Sequence, residues 1–354
     1  MRKLYLTEKH KKHFVRRAKK SLKRRLKGKR KTRNIRRSFE KKNQTYRNRI
    51  KVFPEKMWTH APKQLCFLIN TQEVIEFIEK IENSIKLKRK TFINLRGVIE
   101  IDYAAITILL SVMFRFRKKK ILFDGNYPKN GQVTKKLVDS QFFECLFKPE
   151  NQTLEYNIQK DNQILGRGSN EIIPNLGLTI MPQVTDTIWG EQRICTGLNP
   201  ILMELMLNTY EWASNKSSDK ESWWLSINHN KKDNKVSFVF LDYGQGIFES
   251  LSKKPLWQKI KQLGGDKITN VELLKMILAG TKRQSATRKS YRGTGLRSIK
   301  KSLDRNQINN FSIISNEIHS NVARNEYNVL KSKFNGTIVY WEIGKNNRSK
   351  IWKI

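Results

Sequence analysis

Hydrophobic and polar positions in residues 53–148 follow two alternating periods. Short apolar runs predict strands, and apolar residues at helical spacing predict the helices between them. Asn70 and Glu73 are typical of a capping box at the start of the first helix. The repeated strand–helix order predicts a mainly parallel sheet with helices packed on it, which is an α/β class. The predicted strands are 66–70, 91–95 and 121–124, and the predicted helices are 70–87, 101–116 and 133–146.

Residues 191–354 show a different order of elements, typical of an α+β arrangement. Leu202, Leu205, Met206 and Leu207 predict a helix, with Pro200 near its start. Two apolar strands joined by a polar turn follow, and then a helix and a late strand. Residues 149–190, which include Pro174, are predicted to be a linker with one or two short strands. In chain order the predicted elements after the first helix are strand 223–227, turn 229–234, strand 236–241, helix 296–303 and strand 338–343.

The N-terminal 52 residues carry much of the chain's positive charge. They hold 24 lysines and arginines against Glu8 and Glu40, which gives +22 of the net +40. Such a segment has too few apolar residues to build a core, and it predicts steeply salt-dependent binding to a polyanion, either RNA or DNA. A basic tail that serves only solubility is the alternative. The candidate contacts are Arg16, Arg17, Lys19, Lys20, Lys23, Arg24, Arg25, Arg36 and Arg37.

The segment Glu204-Leu-Met-Leu-Asn208 carries candidate chemistry on the predicted helix. Residues four apart share one helix face, so Glu204 and Asn208 lie together. The carboxylate could deprotonate a water molecule, and the amide oxygen could bind a hard cation such as Mg²⁺. A solvated helix face is the ordinary explanation of this spacing, and Glu211 with Asn215 repeats it, so that pair remains the alternative.

Two glycine-containing motifs follow along the chain. In Asp242-Tyr-Gly-Gln-Gly246 the acid stands at the predicted end of a strand, where it could accept a hydrogen bond from an adenine amino group. Gly244 and Gly246 would let the backbone approach the base. Arg292-Gly-Thr-Gly-Leu296 stands at a predicted helix start, where backbone N–H groups suit phosphate oxygens. Gly293 and Gly295 have no side chain that would block this approach. Each motif alone is typical of an ordinary turn or helix start.

Taken in this order, the three motifs resemble the nucleotide pocket of the GHKL ATP-binding superfamily, over about 198–343. The resemblance implies a two-layer α/β sandwich (Bergerat fold) with bound ATP and Mg²⁺, and Arg292, Thr294 and Leu296 in the last box. It implies that 264–291 is a mobile lid whose Gly280-Thr281-Lys282 faces the phosphates. It also implies that the Thr337 hydroxyl supports Asp242. Arg297 departs from the pattern, because many relatives have glycine there; it would contact phosphate or narrow the loop.

The earlier section resembles another family. Phe92-Ile-Asn-Leu-Arg-Gly97, followed by Ile101-Asp-Tyr-Ala-Ala105, is similar to the STAS domains of anti-sigma-factor antagonists. A generic small α/β domain is the alternative. Those domains usually carry a phosphorylatable serine after the aspartate, and here Tyr103 and Ala104 stand in its place. The predicted organisation is a basic extension (1–52), a STAS-like βαβα domain (53–148), a linker (149–190) and a GHKL domain (191–354).

These features leave three function classes open. The leading one is a switch ATPase whose nucleotide state controls the STAS-like domain and the nucleic-acid-binding arm. The second is an anti-sigma-type protein serine/threonine kinase, and the third is a non-catalytic nucleotide-binding scaffold on nucleic acid. A protein partner at the STAS-like domain is expected, and pairing of two copies stays open. With no membrane-spanning run, no signal peptide and no metal-type spacing of Cys66, Cys145 and Cys195, a cytoplasmic protein is expected.

Overall fold

The computed structural model describes Arg16 and residues 52–147, 161–167, 172–213, 223–252, 268–280 and 295–351. The chain divides into two compact units, residues 1–58 and 59–354. In the first unit, Arg16 is helical and exposed, and a 3₁₀ turn spans Glu55–Met57. The other described elements lie in the second unit, with the first strand starting at the boundary.

The first part of the second unit, residues 59–147, forms a small α/β layer, called the N-terminal layer below. Its strands pair in parallel, β3 with β5 and β2 with β4, and a three-stranded sheet has the order β1-β3-β5. The predicted α/β class with parallel pairing is therefore confirmed for these residues. The elements are β1 (Trp58–His60), β2 (Gln64–Leu65), α1 (Thr71–Lys86), β3 (Thr91–Asn94), β4 (Glu100–Ile101), α2 (Tyr103–Lys118), β5 (Phe123–Asn126), α3 (Gly131–Asp139) and α4 (Phe142–Phe147).

Three local predictions in this layer were wrong. Residues 66–70 form turns and not a strand, and there the N–H of Leu68 donates to Asp102 Oδ2 at 3.0 Å. The helix predicted over 133–146 is broken between α3 and α4, where Gln141 has a φ of 61°. Asn70 does not cap the backbone of α1, because its side-chain amide donates to the carboxylate of Glu73 at 2.7 Å.

The second part of the unit contains a five-stranded antiparallel sheet in the order β10-β11-β9-β8-β6. Helices α5, α6, α8 and α9 cover one face, and β7 pairs with β12 at the periphery. The elements are β6 (Asn162–Arg167), α5 (Leu176–Trp189), β7 (Arg193–Ile194), α6 (Leu198–Ala213), β8 (Trp223–Asn230), β9 (Lys235–Asp242), α7 (Gly246–Ser252), α8 (Asn270–Ala279), α9 (Gly295–Asp304), β10 (Asn309–Asn321), β11 (Glu326–Gly344) and β12 (Lys350–Ile351).

The segment predicted as a linker with one or two short strands contains one such strand, β6, but the described part of it belongs to the folded core. Strand β6 is an edge strand of the five-stranded sheet, paired with β8, and α5 is packed in the core. The helix contains Pro182 in its interior, where proline removes a backbone hydrogen bond and destabilises the helix. Burial of its apolar face, including Ile180, Val184 and Ile188, outweighs that cost.

Both faces of the five-stranded sheet are buried, which explains the continuous apolar run of β9. Val236, Phe238 and Phe240 enter the core formed with α5, α6, α8 and α9. Val239 and Leu241 point the other way, into a core shared with α1 and α2 of the N-terminal layer. The N-terminal layer is therefore packed directly on the sheet. Within the described residues, no helix has the length and apolar character needed to cross a membrane.

Candidate functional site

Helix α6 presents Glu204 and Asn208 at the edge of its buried face. The predicted helix is confirmed, and its apolar stripe packs under the sheet. Leu202, Leu205 and Met206 are almost fully buried, whereas Glu204 and Asn208 are partly exposed. The stripe fixes the rotation of the helix, so the carboxylate and the amide stay accessible beside the core.

Gly295, the first residue of α9, lies against this pair. A Cβ atom added to Gly295 would lie 2.8 Å from Glu204 Oε2 and 3.1 Å from Asn208 Nδ2. A side chain at this position would therefore displace the Glu204 carboxylate and crowd the Asn208 amide. The structure thus brings Gly295 of the last motif, the first residue of a ten-residue helix, next to Glu204 and Asn208 of the first motif on α6.

Asp242 is the last residue of β9, as predicted, and is half-buried. Across the strand pair its partner is Thr337 of β11. Gly336 next to it has a φ of 146°, and a Cβ there would lie 2.3 Å from the carbonyl oxygen of Asp242. Glycine is thus required for the close approach of the two strands. The predicted neighbourhood of Asp242 and Thr337 is present, with the Thr337 hydroxyl 3.0 Å from Ser315 Oγ.

Two residues of β10 that the motifs did not reveal hold the loop after Asp242. The hydroxyl of Ser315 accepts a hydrogen bond from Ile247 N at 2.9 Å and donates to Gly336 O at 2.9 Å. Asn316, which is almost fully buried, accepts from Phe248 N at 3.1 Å and donates to Gln245 O at 2.9 Å. The local sequence did not single them out, because Ser312 and Glu317 are also polar residues of the same strand.

The structure shows a requirement for Gly246 that was not predicted, while its predicted role beside a base stays a prediction. Its φ is 74°, and a Cβ would lie 2.4 Å from the side-chain oxygen of Asn316. The glycine therefore permits a left-handed turn against a buried amide, which positions α7 after Asp242. Gly244 lies in the same turn between β9 and α7.

Residues 268–280 of the predicted lid are described, and helix α8 within them is packed in the core through Leu273, Leu274 and Leu278, which is not expected of a mobile lid. At the end of this helix Gly280 lies against Arg297. Gly280 ends α8 in a left-handed conformation, and a Cβ there would lie 2.1 Å from Cδ and Nε of Arg297. The arginine that departs from the family pattern thus packs over the C-terminus of α8. Leu296 beside it is partly buried against the core below the sheet.

The other predicted contacts lie outside the described residues. These are Thr281 and Lys282 of the lid, Arg292, Gly293 and Thr294 of the last box, and the arm residues Arg17, Lys19, Lys20, Lys23, Arg24, Arg25, Arg36 and Arg37. Arg16 is described and exposed.

The donor atoms near Gly295 suit a hard cation. A carboxylate oxygen of Glu204 and the side-chain amide of Asn208 both face the same glycine, and Mg²⁺ prefers such oxygen ligands while keeping several waters. Within the described residues, this site included, histidine, cysteine and acidic side chains form no group of three or more that could hold a metal ion. Burial raises the pKa of Cys66 and of Cys195 to about 12, so these thiols are protonated and poor nucleophiles.

The chain was also compared with known proteins. No protein-family model matches it, and no curated protein matches it. The GHKL and STAS resemblances therefore remain predictions, and function has to be inferred from the positions of the residues themselves.

Proposed function

We propose that this protein is a GHKL-type switch ATPase that binds ATP with Mg²⁺. Asp242 selects adenine, Asn208 holds the metal ion, and Glu204 activates the attacking water. The start of α9 binds phosphate oxygens. The N-terminal layer acts as the STAS-like domain that responds to the nucleotide, and the basic arm binds nucleic acid.

The observation that carries this proposal is the contact of Gly295 with Glu204 and Asn208. A Cβ on Gly295 would lie within 3.1 Å of both side chains. The N-terminus of a helix offers unpaired N–H groups and a positive dipole end, which suit a phosphate. A general base, a cation ligand and a phosphate-binding helix start thus adjoin one another, which is the combination that phosphoanhydride hydrolysis needs.

Magnesium fits this donor set, and when bound it would neutralise charge on the phosphate oxygens. The protein's own contribution is positional. Glu204 is held on a helix whose buried stripe fixes its direction, so that its carboxylate can take a proton from a water molecule. Asn208, one turn later, can turn its amide oxygen toward the cation.

The packing of the N-terminal layer on the sheet supports the switch part of the proposal. Helices α1 and α2 share a core with β9, the strand that ends at Asp242. A partner that binds this layer can therefore influence nucleotide affinity, and by linkage nucleotide can influence the partner. For the arm, the support is its charge of +22 in 52 residues.

Thermal melting with and without nucleotide tests ATP binding. Mg·ATP should raise the melting temperature of the intact chain, because a ligand that binds only the folded state stabilises it. Asp242→Ala should abolish the shift produced by ATP. If Mg·ATP leaves the wild-type melting temperature unchanged, the proposed pocket is wrong.

Phosphate release tests hydrolysis. Glu204→Gln should abolish release while the melting shift with Mg·ATP persists, since only the base is removed. Glu211→Gln, on the same helix α6, is the matched control and should keep wild-type activity. Equal loss in both variants would reject the role given to Glu204. Transfer of labelled γ-phosphate to a co-purified protein, without release, would instead identify a kinase.

A further inference from the structure

The residue after Asp242 leaves the proposed pocket and enters the core beneath the N-terminal layer. Tyr243 is buried among residues of both the sheet and helices α1 and α2. Its ring lies 5.8 Å from that of Phe334 on β11, and Phe334 in turn lies 5.7 Å from Phe67 of the N-terminal layer. The backbone that follows Asp242 is therefore anchored on the side of the sheet opposite α6.

An ion pair in the N-terminal layer, with a buried carboxylate and a guanidinium that is 32% exposed, contacts this anchor. Arg115 Nη1 of α2 lies 2.6 Å from Glu82 Oε1 of α1, and the Glu82 side chain is only 5% exposed. The Arg115 guanidinium lies over the ring of Tyr243, with Cζ 5.0 Å from the ring centroid. Burial, and then the charge of Glu82, raise the pKa of Tyr243, so its hydroxyl remains protonated.

The same carboxylate also reaches the second strand beside Asp242. Glu82 Oε2 accepts a hydrogen bond from Asn335 Nδ2 at 3.4 Å. Asn335 precedes Gly336, whose backbone approaches the carbonyl of Asp242. The Glu82–Arg115 pair thus contacts the chain directly after Asp242 and the chain directly before Thr337, its cross-strand partner.

From this arrangement we infer that Glu82 and Arg115 are positioning residues for nucleobase selection. Through Tyr243 and Asn335 they fix the two chain segments that hold Asp242, and so set the orientation of its carboxylate toward the base. The inference rests on the proposed ATP pocket and adds a route by which the N-terminal layer acts on it. Removing Arg115 takes the cation away from the buried Glu82 carboxylate, and neutralising Glu82 takes the charge away from beneath the guanidinium, so in either case the cluster rearranges.

The test measures dissociation constants for ATP and GTP with the intact chain. Glu82→Gln should weaken ATP binding about tenfold and lower the preference for ATP over GTP, because Asp242 is no longer held in one orientation. Arg115→Met should do the same. Arg115→Lys retains the positive charge beside Glu82 and should keep most of the preference for ATP over GTP. If the other two variants fold poorly, the inference can still be tested with Arg115→Lys.

A matched control lies at the other end of the same strand pair. Glu342 is also buried; it accepts hydrogen bonds from Lys235 Nζ at 3.2 Å and from the hydroxyl of Tyr340. It pairs with Ser237 of β9, far from Asp242. Glu342→Gln should lower the melting temperature as Glu82→Gln does, while both dissociation constants stay at wild-type values.

The outcomes separate this inference from the function on which it rests. If the wild-type chain binds no ATP, both are overturned. If the wild type binds ATP, and Glu82→Gln and Arg115→Met leave affinity and base preference unchanged, only the positioning role is overturned. An equal loss of preference in Glu342→Gln would likewise overturn it, since the effect would then be general destabilisation.

Discussion

Replacing Gly246 by alanine should destabilise the protein far more than the same change at Gly190. The two glycines have nearly equal φ values, 74° and 70°, so the cost of forcing alanine into the left-handed region is similar. That cost is about 1–2 kcal/mol. A Cβ on Gly190 would have no neighbour within 4 Å, whereas on Gly246 it would lie 2.4 Å from Asn316 Oδ1.

The additional cost at Gly246 follows from what Asn316 does. Its amide bonds Phe248 N and Gln245 O in a place that solvent does not reach. To clear the new methyl group, the amide must shift and lose both bonds. Each buried group left unpaired costs about 1–3 kcal/mol. We therefore expect Gly246→Ala to lower the free energy of unfolding by about 2–6 kcal/mol more than Gly190→Ala, for the two bonds lost.

Urea denaturation followed by tryptophan fluorescence, without nucleotide, measures both variants. A double-mutant cycle then isolates the contact. Asn316 itself has a φ of 51°, so Asn316→Gly removes the side chain without adding backbone strain. In that background Gly246→Ala should cost only as much as Gly190→Ala. Equal costs for the two alanine variants in the wild-type background would refute the reasoning.

Three other predictions test the site and its surroundings. Burial lowers the pKa of His229 from 6.5 to about 4. As the pH falls, this imidazole therefore takes up its proton at a higher pH in the unfolded state than in the folded state. Stability should therefore fall by up to about 3 kcal/mol between pH 6.5 and 4, and His229→Gln should flatten that slope in urea denaturation. Gly295→Ala, which crowds Glu204, should raise the ATP dissociation constant about tenfold, whereas Gly97→Ala, with no neighbour within 4 Å, should not. Deleting residues 1–52 should make the plot of log binding constant against log salt concentration less steep, by several units of slope, for RNA or DNA. An unchanged slope would reject the arm's role.

Much of the site region could be predicted because its local patterns are strong. The helix around Glu204, the two strands before Asp242 and the helix at Leu296 all lie within a few residues of their predicted bounds. Periodicity alone specifies these elements, since each buries one clear apolar face or run. Thr337 lies opposite Asp242 in the strand register, while its hydroxyl lies 3.0 Å from Ser315 Oγ, so the role that the GHKL resemblance implied for it stays a prediction.

Contacts that depend on tertiary packing could not be predicted. Nothing in the local sequence of Glu82 or Arg115 distinguishes them from ordinary charged residues on amphipathic helices. Their pairing becomes visible only when α1 and α2 lie on the sheet. The helix over Leu176–Trp189 was not predicted for a related reason. Its interior proline disfavours a helix, and only the tertiary structure shows the burial that compensates for this cost.

The apolar run of β9 nevertheless contained information about the relation between the two halves of the unit. A strand of a two-layer sandwich buries one face and should alternate with polar residues on the other. Residues 236–241 do not alternate beyond Ser237, which implies that the sheet is covered on both sides. The second cover is the N-terminal layer, which packs on the sheet through Val239 and Leu241. A layer fixed in this way cannot move freely as a separate module. This shared core, where Tyr243 and the Glu82–Arg115 pair lie, is therefore a direct structural connection between the layer and the proposed nucleotide pocket.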